Sequence, residues 1–354
     1  MRKISALLFT VLLAWVVIAC DEKKDPNQTI QDVPEQTAYS ETIELKALND
    51  AVLADPENPE LYFRRGNYFL DQKEGEQAYK DAVRAIYLDS TQGRFWLLKS
   101  KALYTLPNVK LAMEAAKKAE ALKLETPDLL VQIGEMHFVL KEYAMAIKYM
   151  DKAIKIAKYE PKAYFYKGLI FSELKDSAKA VSSLQTAIEL SPEFVDAYNK
   201  LAVLYFDQKK YDMAKQYLES GLRFGPKDAF LHYNMGLYFD YTQKPDSAVT
   251  WLKKAIFFEP GLYSAHFKLG KYEFDARRYS NSIDHFEAAK SYAPKQADIL
   301  FYLGSAYAYT GKRDEARKNF DAVLANKMGY EDRATEQLKK LKETALAGDT
   351  AKAK

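Results

Sequence analysis

The sequence predicts an all-α protein built from eight consecutive helix-turn-helix repeats, each 34 residues long. The first observation is a small residue that recurs every 34 positions without an insertion, at Gly66, Ser100, Gly134, Gly168, Ala202, Gly236, Gly270 and Gly304. The second is that no proline falls inside a predicted helix, where it would cost ~3 kcal/mol or more. Self-similarity at a fixed period of this length is typical of solenoids, in which each repeat buries its apolar face against the next.

Two further series of small residues keep the same phase. One lies twelve residues after the first series, at Ala78, Ala112, Ala146, Ala180, Ala214, Ala248, Ser282 and Ala316. The other lies seven residues further on, at Ala85, Ala119, Ala153, Ala187, Gly221, Ala255 and Ala289, with Val323 as the exception. Antiparallel helices approach closely only where a small side chain leaves room for a large neighbour. The three series therefore predict the seams along which the helices pack.

Large residues complete the pattern, and the fifth repeat shows it with Tyr198, Leu201, Ala202, Tyr205, Ala214, Leu218, Gly221 and Pro226. These residues resemble the motif of the tetratricopeptide repeat family, which places Trp, Leu, Gly and Tyr on a first helix and Ala, Phe, Ala and Pro on a second. The resemblance covers residues 59–330. It implies a solenoid wound as a right-handed superhelix, and a protein that binds other proteins on a concave wall formed by its first helices.

A few positions depart from that motif. Arg65, Lys99 and Lys167 stand where the family usually has Leu, which predicts less tight packing at that edge of their repeats. Glu273 replaces the aromatic residue of the seventh repeat. Either the helix is rotated slightly at Glu273, or the carboxylate has a partner.

Residues 1–19 are predicted to be a lipoprotein signal peptide. Arg2 and Lys3 precede an apolar stretch, residues 4–19, that would rise about 24 Å as a helix, short of the ~30 Å hydrocarbon core. The stretch therefore favours a secretory signal over a membrane-spanning helix. The end of the stretch, Val-Ile-Ala-Cys at residues 17–20, resembles the bacterial lipobox. That resemblance implies cleavage before Cys20 and lipid attachment to it. The alternative is an ordinary signal peptide beside an incidental cysteine.

The segments that flank the repeats have distinct compositions. Residues 20–40 are polar with two prolines, and are predicted to be the lipidated cysteine and a flexible tether. Residues 41–58 are predicted to hold an N-terminal capping helix, and residues 331–347 a C-terminal capping helix. A solenoid requires polar-faced caps because a bare terminal repeat would expose its apolar stripe. The tail, residues 348–354, is predicted to be disordered.

Composition and motifs bear on the chemistry of the protein. Lys and Arg exceed Asp and Glu by only 52 to 49, which argues against a nucleic-acid partner. The single cysteine permits neither an intrachain disulfide nor a cysteine-based zinc site. His137, His232 and His266 occupy aromatic positions of the repeat and are predicted to pack, while His285 lacks a partner at metal-binding spacing. With no catalytic constellation or phosphate-binding loop, we predict that the protein is not an enzyme and needs no cofactor or metal.

The family resemblance also implies where a partner would bind. In the family, the concave wall is lined by first-helix residues that do not serve the packing motif. In this sequence, the corresponding positions hold aromatic residues with polar residues between them. The predicted site residues are Phe63, Asn67, Phe138, Phe165, Asn199, Phe206, Phe230, Tyr233, Asn234, Tyr241, Phe267, Lys271, Phe274, Phe301 and Tyr309. Large rings interleaved with polar residues predict a groove for an extended or helical peptide. The alternative is that each ring packs on the next helix.

The sequence thus predicts a membrane-anchored scaffold that binds a partner peptide or helix in assembly of envelope, secretion or pilus machinery. The resemblance of residues 17–20 to a lipobox implies the bacterial cell envelope, and we favour the outer membrane, with the protein either periplasmic or surface-exposed. The alternative function is a lipoprotein that captures a glycan or nutrient on its aromatic rings. Some members of the family clamp C-terminal carboxylates with a Lys, two Asn and then a Lys and an Arg at set positions. Such a clamp is not predicted here, because only Asn67 matches this pattern in the first three repeats. The sequence does not decide the oligomeric state.

Overall fold

The computed structural model describes residues 42–106, 108–326 and 329–352 of the chain. The predicted signal peptide, Cys20 and the predicted tether lie outside these residues. Within the described ranges every regular element is an α-helix, and there are eighteen of them. In this part of the chain no helix combines the length and the apolar character needed to cross a membrane.

The first helices of the repeats begin 34 residues apart: α2 (Pro59–Asp71), α4 (Gly93–Thr105), α6 (Pro127–Val139), α8 (Pro161–Glu173), α10 (Val195–Asp207), α12 (Ala229–Tyr241), α14 (Tyr263–Asp275) and α16 (Ala297–Tyr309). The second helices keep the same interval: α3 (Gly75–Leu88), α5 (Val109–Ala121), α7 (Tyr143–Ile156), α9 (Ser177–Leu190), α11 (Tyr211–Phe224), α13 (Pro245–Phe258), α15 (Tyr279–Tyr292) and α17 (Arg313–Asn326). All eight pairs lie in one compact unit, residues 48–354. The predicted all-α solenoid of helix pairs is confirmed.

One helix flanks the repeats on each side. Helix α1 (Ile43–Ala54) lies within the range predicted for the N-terminal cap. Helix α18 (Glu331–Lys352) runs beyond the predicted end of the C-terminal cap. The helix thus extends into residues 348–352 of the predicted tail, and the disorder of that tail stays a prediction. A single glycine costs a helix interior only ~1 kcal/mol, and Ala351 and Lys352 are good helix formers.

The small residues lie at the seams between helices, as predicted. Every member of the series that begins at Ala78 is fully buried. A Cβ atom added to Gly270 would come within 2.6 Å of the Phe286 ring, so the glycine permits α14 and α15 to approach this closely. Ser100 stands at a glycine position, and its hydroxyl donates a hydrogen bond to the carbonyl oxygen of Ala112 at 2.8 Å. The polar atom of this buried serine is therefore satisfied.

The contacts between helices arrange the repeats in two layers. Each first helix packs against the second helix of its own repeat, and that second helix packs against the first helix of the next repeat. First helices of successive repeats also touch directly, as in the pairs α2 and α4, α6 and α8, and α10 and α12. Helix α18 contacts α16 in the same manner as a further first helix. The first helices thus form one layer. We call the side of this layer that does not pack against the second helices the first-helix face.

Ion pairs replace apolar contacts at two of the three leucine positions that hold a basic residue, whereas Lys99 lies over the rings of Tyr79 and Trp96. The Arg65 guanidinium donates to both carboxylate oxygens of Asp81, at 2.9 and 2.7 Å. The Lys167 ammonium donates to Asp151 at 2.7 Å. Both bonds join a first helix to a second helix. The first and second helices are therefore held together at these positions by polar contacts instead of a leucine.

The carboxylate of Glu273 has partners, which settles the alternative left open by the sequence. Its Oε2 accepts hydrogen bonds from Arg278 Nε at 2.5 Å and from Asn281 Nδ2 at 3.5 Å. The hydrogen bond from Arg278 holds the pKa of Glu273 below its usual value. The missing aromatic of the seventh repeat is thus replaced by a polar contact between the end of α14 and the start of α15.

A recurrent hydrogen bond explains the aromatic residue near the start of the first helices. In four repeats its polar ring atom contacts the backbone carbonyl oxygen six residues earlier, at 3.0 to 3.3 Å, from Tyr62, Trp96, Tyr164 and His266. His266 Nε2 therefore occupies the place of a tyrosine hydroxyl or a tryptophan indole nitrogen. This geometry supports the prediction that His266 serves packing.

The turns inside seven of the eight repeats share a backbone feature that the sequence pattern did not reveal. At one position of the turn φ lies between 57° and 79°, in Lys73, Lys141, Lys175, Lys209, Gln243, Arg277 and Gly311. The next residue then donates its backbone N–H back to the first helix, as Lys210 does to the Tyr205 carbonyl at 2.8 Å. Glycine is the residue that ordinarily signals this conformation. It occupies only the last of these turns, so the sequence carried little warning.

Candidate partner-binding surface

Several residues predicted to line a groove are largely buried in the fold. Phe165, Phe206 and Phe301 expose only 7%, 8% and 4% of their surface. The Phe165 ring lies 4.8 Å from the ring of Phe194, and the Phe301 ring lies 5.1 Å from that of Tyr330. Neighbouring elements set rings against Phe165 and Phe301, so most of the surface of these side chains packs within the fold, and the groove contacts of the three residues stay a prediction.

Two predicted asparagines are also buried, in a polar chain between the fifth and sixth repeats. Asn234 Nδ2 donates to Asn199 Oδ1 at 2.9 Å, and Asn199 Nδ2 donates to Asp228 Oδ1 at 3.1 Å. The same Asp228 oxygen accepts the backbone N–H of Leu231 at 2.7 Å, which caps α12. Asn199 and Asn234 therefore join α10 to α12 within the fold, and their role as partner contacts stays a prediction. Asn67 remains partly exposed and donates to the Phe63 carbonyl of its own helix at 2.7 Å.

Other predicted rings do reach the surface. Phe230, Tyr241 and Tyr309 expose 50%, 47% and 65% of their surface. Five more are partly exposed, namely Phe63, Phe138, Tyr233, Phe267 and Phe274. An exposed ring that recurs along one layer of helices is the kind of surface that marks a recognition site. Eight of the predicted rings are therefore at least partly exposed, and the most exposed of them lie in the second half of the array.

Two aromatic triads stand at equivalent positions two repeats apart. In one, Tyr241 stacks on Tyr211 with ring centroids 5.4 Å apart and 15° between planes, and lies 5.3 Å from Phe206. In the other, Tyr309 stacks on Tyr279 with ring centroids 4.4 Å apart and 9° between planes, and lies 5.8 Å from Phe274. Tyr211 and Tyr279 were missed by the sequence reasoning because they open second helices. Their spacing of two repeats was the signal that could have found them.

A polar cluster lies between the two triads, around Asp240. Its carboxylate accepts hydrogen bonds from Lys268 Nζ at 2.6 Å and from the Tyr272 hydroxyl at 2.5 Å. Partial burial alone would raise the pKa of Asp240, but these hydrogen bonds and the nearby lysines hold it below the usual value. The carboxylate is therefore kept charged. Lys271, a predicted site residue, donates to the Tyr302 hydroxyl at 2.9 Å.

A cleft of about 310 Å³ lies at the amino-terminal end of the first-helix face. Among its lining residues are three carboxylates, Asp71, Asp128 and Glu135, and two ammonium groups, Lys101 and Lys162. Lys101 and Asp128 form an ion pair at 2.5 Å. Burial, together with the Glu135 carboxylate, raises the pKa values of the two neighbouring tyrosines, Tyr104 and Tyr166. This cleft is therefore slightly acidic.

A second cleft, of about 410 Å³, lies between α14, α16 and α18. It is lined by Phe274, Phe301, Tyr302, Ser305, Ala308, Tyr309, Arg333, Gln337, Lys340 and Leu341. We call it the C-terminal cleft. Three of these residues were predicted, but the contribution of α18 was not. The closing helix lacks the repeat motif, so nothing in its sequence indicated which of its residues turn toward the first-helix face.

The histidines have packing partners. The His232 ring lies 4.9 Å from Phe258 and 5.4 Å from Trp251, and the His137 ring stacks on Tyr149 at 5.4 Å. Within the part of the chain that the structure describes, no group of three His, Cys, Asp or Glu residues is placed to hold a metal ion. The geometry of the first-helix face offers contact surface and hydrogen bonds, and we identify no nucleophile paired with a base in it.

Three family models match parts of the chain. One described as a TPR repeat matches residues 168–209, and one described as a tetratricopeptide repeat matches residues 267–331. Another tetratricopeptide repeat model matches residues 127–159 and 195–228. No curated protein matches the sequence.

Solved structures share the fold. The chain is similar to a crystal structure of the APC/C hetero-tetramer Cut9–Hcn1, with a TM-score of 0.61 and 15% identity over 75% of this chain and 52% of that one. It therefore spans about half the length of that chain. It is also similar to PilF of Pseudomonas aeruginosa, with a TM-score of 0.51 and 19% identity over 65% of this chain and 99% of that one. At these identities the likeness shows the fold alone.

Proposed function

We propose that this chain, a tetratricopeptide repeat protein, is a scaffold that binds a peptide or helical segment of a partner protein along its first-helix face. The observation that carries the proposal is the set of exposed rings on that face, Phe230, Tyr241 and Tyr309. Rings of this kind dominate binding energy where they enter a partner, and truncating such an anchor commonly costs more than ~1–2 kcal/mol.

The surroundings of these rings favour a protein partner. Tyr241 and Tyr309 are each supported from behind by a stacked tyrosine, which limits the rotamer entropy lost on binding. Charged and hydrogen-bonded groups such as Asp240 and Lys268 lie between the triads. Apolar anchors separated by polar groups suit a segment that presents side chains at regular intervals.

We further propose that the scaffold is held at a membrane by lipid on Cys20, in the bacterial cell envelope, most simply at the outer membrane. The support is the lipobox-like sequence at residues 17–20 and the polar segment that follows it. A partner in envelope, secretion or pilus assembly agrees with this placement. The similarity to PilF adds the fold and no more, at 19% identity.

The experiment is a crosslinking capture from intact cells, with the wild type compared to the triple variant Phe230→Ala/Tyr241→Ala/Tyr309→Ala. The matched control is Tyr87→Ala/Tyr159→Ala/Phe257→Ala, which removes three rings that are even more exposed but lie outside the first helices. Both variants must give the wild-type circular dichroism spectrum and a melting temperature within a few degrees of the wild type.

We expect one or more partner proteins that crosslink to the wild type and to the control, and are lost from the first-helix variant. A partner retained equally by both variants would show that binding occurs elsewhere. A folded wild type that crosslinks to no protein would overturn the scaffold function, and would direct attention to glycans or nutrients stacked on the tyrosine pairs.

A further inference from the structure

We propose that the C-terminal cleft binds an acidic segment of the partner protein that carries an aromatic side chain. The proposal rests on the scaffold function above and specifies the chemistry of one part of the bound segment. It combines three observations: the charge of the lining, the arrangement of its rings, and the contrast with the amino-terminal cleft.

The lining of the C-terminal cleft is cationic. Arg333 and Lys340 line it, and no carboxylate does. Lys340 is bonded to Glu336 at 2.5 Å, on its own helix. Arg333 lies with its guanidinium carbon 4.4 Å from the Phe301 ring centroid and 5.2 Å from that of Tyr330. Among the residues that the structure describes, Arg333 forms no ion pair. Glu336 lies on the same helix, and its pKa is lowered mainly by the hydrogen bond from Lys340 and partly by the charge of Arg333.

The position of Arg333 leaves its hydrogen-bonding groups available. A guanidinium that stacks on rings presents its N–H donors at its edge, in a planar fork that matches a carboxylate. The stacking also holds the side chain in place, so less entropy is lost when an anion binds. The cleft therefore offers an oriented cation to an acidic side chain.

The remaining wall of the cleft is aromatic and open. Phe274, Tyr302 and Tyr309 line it, and the small residues Ser305 and Ala308 leave space above the α16 backbone. The Tyr309 ring, with 65% of its surface exposed, forms one edge. A volume of about 410 Å³ lies at the lower end of the range for ligand pockets. Such a space suits one inserted ring with neighbouring carboxylates directed at Arg333 and Lys340.

The amino-terminal cleft on the same layer of helices has the opposite character. Its lining holds three carboxylates against two lysines, and one lysine is already paired with Asp128. An acidic segment placed there would meet like charge, which costs free energy. The two clefts therefore assign a direction to the partner: its acidic part lies against α18, at the end of the array.

The test uses fluorescence polarisation with the full chain in detergent solution and a peptide that carries fluorescein on its amino end, fluorescein-Gly-Asp-Glu-Phe-Asp-Glu-Gly-amide. Two comparison peptides replace either the four acids by Lys or the Phe by Ala. We expect the acidic aromatic peptide to bind about tenfold or more tightly than either, with affinity that falls as salt is added.

Charge reversal locates the site. Arg333→Glu/Lys340→Glu should weaken the acidic peptide at least about tenfold and should strengthen binding of the Lys peptide. The matched control is Lys339→Glu/Lys342→Glu, which makes the same charge change on the same helix at positions outside the cleft lining. The control should retain wild-type affinity, and both variants should melt within a few degrees of the wild type.

Three outcomes would overturn the proposal. They are equal binding of the acidic and Lys peptides, equal loss in the two charge-reversal variants, and absence of peptide binding. In the last case, binding to vesicles of phosphatidylglycerol and phosphatidylcholine would assign the cations to lipid headgroups. None of these outcomes tests the scaffold function. That function is tested by whether the first-helix variant loses a partner that crosslinks to the wild type.

Discussion

Tyr279 and Tyr309 lie face to face, with ring centroids 4.4 Å apart and 9° between their planes. Tyr279 opens the second helix of the seventh repeat, whereas Tyr309 ends the first helix of the eighth. The stack therefore joins adjacent repeats at the rim of the first-helix face. It also leaves Tyr309 with most of its surface available, since 65% is exposed.

The stack predicts that Tyr309 contributes more to binding than to folding. Tyr309→Ala should lower the free energy of unfolding by only about 0.5–1.5 kcal/mol, the value of one aromatic pair. Capture of the partner should fall much further, while Tyr309→Phe should preserve both properties. Tyr292→Ala, which removes a ring of similar exposure from α15, is the control for capture. Urea unfolding and crosslinking of the same samples compare the two effects, and equal capture by Tyr309→Ala and Tyr292→Ala would contradict the assignment.

The left-handed turns predict a stabilising substitution. Lys209 has φ of 57°, a region that costs a non-glycine residue roughly 1–2 kcal/mol. Glycine avoids that cost but loses ~0.5–1 kcal/mol through its greater freedom in the unfolded chain. Lys209→Gly should therefore raise the free energy of unfolding by up to about 1 kcal/mol.

Lys210→Gly is the control for that substitution, because Lys210 has φ of −90° and gains nothing from glycine. It should leave stability unchanged or lower it. Urea unfolding at constant salt compares the two variants, since each removes one positive charge. Equal stabilities would show that the left-handed turn stores no strain.

The seam glycines predict unequal effects of the same mutation. At Gly270 the added Cβ would lie 2.6 Å from the Phe286 ring, which is fully buried and cannot turn aside. At Gly134 the nearest atom, 2.7 Å away, is the terminal methyl of Met150, which is flexible. Gly270→Ala should destabilise the protein by about 1–3 kcal/mol. Gly134→Ala should be nearly neutral because better helix propensity offsets the crowding. Thermal unfolding of both variants measures the difference, and the reverse order would refute it.

The hydrogen bonds to Asp240 predict part of the loss of folding stability at low pH. Because the pKa of Asp240 is lowered in the fold, its stabilising contribution is complete above its ordinary pKa of 3.8 and is lost as pH falls through the lower folded value. Asp240→Asn should therefore have a lower free energy of unfolding than the wild type at pH 7, and this difference should become smaller below pH 3.8.

Tyr272→Phe provides the comparison for this effect, because it removes one donor to Asp240 and leaves the carboxylate in place. The pKa of Asp240 should then move back toward its ordinary value, so the loss of stability on acidification should be smaller than in the wild type and should be complete at a higher pH. Urea unfolding between pH 7 and pH 3 follows all three proteins. A gap between wild type and Asp240→Asn that does not change with pH would exclude the linkage.

The proposed lipid anchor predicts a labelling result that depends on one residue, Cys20. Cells fed an alkyne fatty acid should attach it to the wild type, and the Cys20→Ala variant should carry none. Because the chain has a single cysteine, no other thiol can account for the label. Labelled Cys20→Ala, or unlabelled wild type, would reject the anchor.

The fold was predictable because its period appears directly in the sequence. One small residue every 34 positions specifies the seams, and the structure places each helix pair in that register. The surface was predictable only in part. Whether Phe165 or Phe230 is exposed depends on what the adjacent elements set against it, and Phe194 covers the first. Arg333 lies on a closing helix that lacks the repeat motif, so its place beside Phe301 could be found only in the folded chain.

The equal length of the repeats has a consequence for how such a gene can change. Because every repeat meets its neighbour in the same way, duplication or deletion of one 34-residue unit would leave each interface with an equivalent partner. The array could thus become longer or shorter without a new core, while the separation of its two tyrosine stacks would change by a whole unit. Recombination could therefore change the length of partner segment that the array contacts, one repeat at a time.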